Sequence, residues 1–165
     1  MDDAMRHRLD VAVERLTTHE SDLEQHFQRV QREQDARHAA LNERFRKLAA
    51  HLQPFVDKLT SAGHEARISV LPGKPFVDPG PRTDPNEREL KAAEWIGPSA
   101  TLAVQVAAID EPHLTFTGTP QGVRITRALR SGVTEDIADL SDHNFTDEVA
   151  DKAVVELIEA LAAGR

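Results

Sequence analysis

The fold is decided by residues 5–53, MRHRLDVAVERLTTHESDLEQHFQRVQREQDARHAALNERFRKLAAHLQ. This stretch contains neither Gly nor Pro and is rich in residues that favour helix. Apolar side chains recur at Leu9, Val13, Leu16, Leu23, Phe27 and Val30, at spacings of three and four, with Glu20 in the one missing slot. A second run follows at Leu41, Phe45, Leu48, Leu52, Phe55 and Leu59. Each run fits the a/d seam of a heptad. The two runs are out of register. The path Val30, Gln34, His38, Leu41 inserts four residues, a stutter that locally unwinds a left-handed supercoil. The intervening Gln31–Ala40 (QREQDARHAA) is polar and small, so its seam is weak. At about 1.5 Å per residue an unbroken helix of this length reaches about 70 Å. That exceeds a domain of ~100 residues, so one end is expected to project or to find a partner.

Downstream, Pro54 disfavours helix at Gln53. The sequence predicts a kink or break there, with Pro54 opening a short second helix that ends near Gly63. This divides the chain into a long oligomerisation helix, residues 1–53, and a small α+β domain, residues 54–165. In the latter, Glu65–Leu71 alternates as a strand. Residues 72–86 (PGKPFVDPGPRTDPN) hold five prolines and two glycines and form a long loop. Asp84-Pro85 starts a short helix over Asn86–Trp95. Ser99–Ile109, His113–Thr119 and Val123–Arg130 read as strands joined by turns at Asp110-Glu111-Pro112 and Pro120-Gln121-Gly122, an antiparallel meander. Val133–Leu140 reads equally as a further strand or as an irregular acidic segment. Thr146 caps a last helix over Asp147–Ala163, whose apolar face is Val149, Ala153, Val154, Leu157, Ile158 and Leu161. The fold class is α+β: a long, coiled-coil-like amphipathic helix, a meander of about four strands, and a C-terminal helix.

Composition limits the function. The net charge of -8 is uneven: residues 1–60 hold ten Lys/Arg against eleven Asp/Glu, and residues 61–165 hold ten against seventeen. An acidic body disfavours general nucleic-acid or anionic-membrane binding. The absence of Cys excludes disulfides, thiolate catalysis and cysteine zinc sites. The start of the chain lacks an apolar signal core, and no window reaches a membrane span, so a soluble, cytoplasmic protein is expected.

Local clusters carry weaker signals. His19 and His26 share a helix face without a third ligand. Glu135, Asp136, Asp139, Asp142 and His143 lack calcium-loop spacing. No cofactor and no metal site is expected, and no catalytic residue stands out. Arg124 and Arg130 share one face of a strand, a possible phosphate contact, although pairing with nearby acids accounts for them as well. Arg127 is odd, since alternation places it with Val123, Ile125 and Leu129. Trp95 follows the proline loop and is expected to floor a pocket bounded by Lys74, Phe76 and Arg82, a partner or ligand surface. Glu20 and Gln34, polar at seam positions, are expected to fix a particular pairing.

These features predict a non-enzymatic, homo-oligomeric scaffold or adaptor. It self-associates through Leu9, Val13, Leu16, Leu23, Phe27 and Val30 and presents the α+β domain to a protein partner. The alternatives are a nucleic-acid-contacting regulator using Arg124 and Arg130, and a small-ligand sensor or minor enzyme with a pocket near Trp95.

Overall fold

A computed structural model describes residues 2–106 and 111–165. As the missing Gly and Pro predict, the first element is one α-helix, α1, over Asp3–Ser61. It is followed by β1 (Glu65–Leu71), α2 (Pro85–Ala93), β2 (Ser99–Gln105), β3 (His113–Gly118), β4 (Gly122–Ala128), β5 (Thr134–Ser141) and α3 (Asp147–Ala162). The last part of the predicted Ser99–Ile109 strand and Asp110 of the following turn lie outside the described residues.

Two expectations are corrected. The helix does not end or restart at Pro54, which lies inside α1. The ring removes one donor, leaving the Ala50 carbonyl without its i+4 amide partner. Ala50 and Pro54 are both exposed, so the defect lies on the solvent side of the helix. On the other side of the helix Leu52 and Val56 are buried in the core and hold the helix through the defect. The sheet has five strands, not about four, because Thr134–Ser141 forms the last one.

The described chain divides into two compact units, residues 1–35 with 76–94, and residues 36–75 with 95–165. The predicted boundary at 53/54 falls inside α1 and inside the second unit.

The second unit holds an antiparallel sheet in the order β1-β2-β3-β4-β5. Leu41, Phe45, Leu48, Leu52 and Val56 of α1 share one core with Leu102, Leu114, Phe116, Val123 and Ile125 of the sheet and with Ala150, Val154 and Leu157 of α3. Helix α3 starts where the sequence places it: the Thr146 hydroxyl accepts the Val149 amide hydrogen, satisfying a free donor of the first turn. The β4–β5 pairing is close. A Cβ at Gly122 would stand 1.8 Å from the Leu140 carbonyl oxygen, so only glycine allows this approach.

A register shift between Ile125 and Thr126 interrupts the alternation of β4. This bulge resolves the odd position of Arg127, whose Nη2 lies 2.7 Å from Glu135 on β5. Arg127 holds the Glu135 carboxyl below the usual range. Acids along β5 both pair with β4 and guard an edge strand against further pairing.

Candidate functional site

The first part of α1 is the least covered stretch among the described residues. Asp2 accepts the Met5 amide hydrogen at 2.7 Å, capping the helix start. From Asp3 to Asp22 every residue is exposed except Val11, which is intermediate. The seam residues Leu9, Val13 and Leu16 are 50%, 52% and 58% exposed. Leu23 and Val30 are intermediate, and Phe27 is buried at 2%. The predicted seam is therefore graded: open at its start and covered at its end.

Phe27 is covered within the first unit by residues 76–94. The Arg88 guanidinium lies over the Phe27 ring, 4.2 Å from its centroid. Arg88 is itself 5% exposed. Its Nη2 lies 2.7 Å from Asp78 and 3.0 Å from Glu24, and its Nε donates to Asp78 at 3.1 Å. A buried guanidinium requires such partners, and two contacts to one carboxylate give the strong geometry. Helix α2 is oriented by Asp84, which accepts the Asn86 amide hydrogen at 2.8 Å, and by Pro85 at its first turn.

Gln34 ties down both ends of this segment. Its Oε1 accepts the Phe76 amide hydrogen at 3.2 Å, and its Nε2 donates to the Ala92 carbonyl at 2.8 Å. Gln34 thus bonds to its own chain, where a polar seam residue had been expected. Phe76 is buried and Arg82 is exposed, so within this unit the predicted surface pair splits into an anchor and a solvated side chain.

The Arg88 hydrogen bond to Asp78, with a further one from the Gly80 amide, holds the Asp78 carboxyl below its usual range. A depressed native value means that the folded state binds this proton less readily than the unfolded chain. The contribution of Asp78 is fully present above the unfolded value of about 3.9 and is lost as pH falls through the lower folded value. Acid titration should loosen residues 76–94 below about pH 4, measured as a rise in amide exchange there. Asp78→Asn should remove that step.

In the second unit, polar residues of α1 dock irregular segments. Arg37 meets Asp142 through two bonds, at 2.6 and 2.8 Å, and donates to the carbonyls of Thr119 and Gly122. Arg44 donates to the Asp142 and Phe145 carbonyls and lies over the Phe145 ring. His38 is buried, bonds to the Ile96 carbonyl at 3.0 Å and packs against Trp95 with centroids 4.3 Å apart and the ring planes inclined by 41°. The Trp95 indole N–H donates to the Gly118 carbonyl at 2.9 Å. Lys74 is exposed, and its backbone amide donates to the Ile96 carbonyl. A recess of about 580 Å³ beside Trp95 is lined by Thr117, Gln121, Arg124, Asp139 and Ser141 among others.

The stretch Gln31–Ala40 had read only as a weak seam. Its polarity was the available signal: Gln34, Arg37 and His38, three and four residues apart, all bond to carbonyl or amide groups of the chain.

The remaining candidates are occupied. Arg124 pairs with Asp139 at 3.3 Å across the strands, and Arg130, just beyond β4, donates to the Leu161 carbonyl. His26 contacts Arg29 at 3.3 Å and sets its ring edge-on to Phe27. Among the described residues no group of three or more His, Cys, Asp or Glu is placed to hold a metal, and no helix is long and apolar enough to cross a membrane. No known family, curated protein or solved structure matches this chain.

Proposed function

We propose that this protein is a non-enzymatic scaffold that self-associates through the open part of the α1 seam and presents its sheet-bearing unit to a protein partner. The observation that carries this reading is the half-exposed row Leu9, Val13 and Leu16 on a helix segment whose residues from Asp3 to Asp22 are all exposed except Val11. An isolated helix of ~20 residues and mixed composition is marginal in water, and an apolar stripe at heptad spacing stabilises one by joining a second helix. A second copy is the fitting occupant. The near-balance of charge in residues 1–60 keeps two copies from repelling each other strongly. In the a/d frame Val13 takes position a, while Leu9, Leu16 and Leu23 take d, the combination that favours two strands.

The nucleic-acid reading is weaker, because Arg124 already faces Asp139 and Arg130 already donates to the Leu161 carbonyl. The contact area along three or four seam positions is small, so association should depend on concentration. Sedimentation analysis of Leu9→Glu/Leu16→Glu should show a single chain at concentrations where the parent associates, with the sheet unit still folded. Equal association of parent and variant would refute this reading.

A further inference from the structure

Residues 76–94 occupy a place on α1 that the heptad pattern assigns to the seam. We infer that this segment is a releasable strap which competes with a second copy of the chain for Phe27 and the end of the seam at Val30, and so limits self-association to the residues before them. The inference rests on the self-association proposed above.

Three observations support it. First, Phe27 continues the spacing of Leu9, Val13, Leu16 and Leu23, yet it is 2% exposed because Arg88 lies on its ring. A guanidinium is an unusual cover for a seam phenylalanine, since it carries a full charge out of water and needs Asp78 and Glu24 to do so. Second, the hold is largely polar. Arg88 is the buried residue of α2, while Leu90 and Val77 are 73% and 71% exposed. Beside the buried Phe76, the attachment includes the Arg88 ion pairs and two Gln34 bonds. Buried ion pairs gain little over an apolar alternative once desolvation is counted, so an apolar helix face can displace them. Third, Glu24 flanks the seam and is drawn to Arg88, so strap and partner claim neighbouring groups on one stripe.

Two ligands that exclude each other from one surface are coupled reciprocally. Weakening the strap must therefore strengthen association. Arg88→Ala, and independently Asp78→Asn, should tighten the self-association constant about tenfold, within the usual range of such couplings, as read by sedimentation equilibrium. Amide exchange in residues 76–94 should rise in both variants. Adding Val30→Glu to Arg88→Ala should abolish the gain. That control separates use of the uncovered seam from non-specific adhesion.

Unchanged or weaker association in strap variants with raised exchange would overturn the strap while leaving the proposed function standing. So would a gain that survives Val30→Glu. A monomeric parent together with monomeric strap variants at all concentrations would instead refute the self-association itself.

Discussion

Replacing Phe45 by alanine is expected to destabilise the second unit by about 3–5 kcal/mol, the usual cost of emptying a phenylalanine site in a close-packed core. Phe45 is fully buried at 0% exposure, within one core drawn from α1, the sheet and α3. Its neighbours in sequence, Leu41 and Leu48, belong to the same core and are anchored on the helix, so the site has little freedom to collapse. A loss of this size is a large part of the 5–15 kcal/mol that holds a typical domain folded. Chemical denaturation followed by near-ultraviolet signals should show a lower midpoint with a similar slope. Leu9→Ala is the comparison. Leu9 is half exposed, so in dilute solution the same kind of truncation should change stability by ~0.5 kcal/mol or less.

Arg88→Ala is expected to have an effect of comparable size, confined to the first unit. Truncation leaves Asp78 nearly buried without its main partner; its side chain is 11% exposed. Breaking one side of a buried pair costs about 3–5 kcal/mol, because the remaining charge is stranded. Glu24 adds little to that figure, since its side chain is 35% exposed and solvent screens the pair. The cation over Phe27 is lost as well, a further 0.5–2 kcal/mol by general estimates. The result should be local opening of residues 76–94, seen as faster amide exchange there and unchanged exchange in β2–β4. Arg88→Ala and Asp78→Ala combined should destabilise less than the sum of the two, because each removes the same interaction.

The parts of the fold that were legible in the sequence are those where one physical signal dominates. The helix over residues 5–53 showed itself through the missing Gly and Pro and the three-four spacing, and α3 through Thr146 followed by Asp147 and Glu148. Strands β1 to β4 followed from alternation between turn residues. Thr134–Ser141 was ambiguous because its acids face partners that cannot be read locally: Asp139 meets Arg124, and Glu135 meets Arg127 across a bulge. Pro54 misled because its cost depends on whether the bereft carbonyl meets water, a tertiary property. The seam itself was visible, but its division was not. That Phe27 is covered by Arg88, sixty-one positions later in the chain, follows from a fold and not from a period. For the same reason the polar face of Gln34, Arg37 and His38 passed for a gap in the apolar stripe, when it is a row of docking contacts.

The central claim is that α1 is open from Leu9 to Leu16 because a second copy covers it. The most direct test is the molar mass of the unaltered chain by light scattering across a dilution series. The account predicts a mass at least twice that of one chain at high micromolar concentration, falling toward one chain on dilution. The mass of a single chain at every concentration would contradict it.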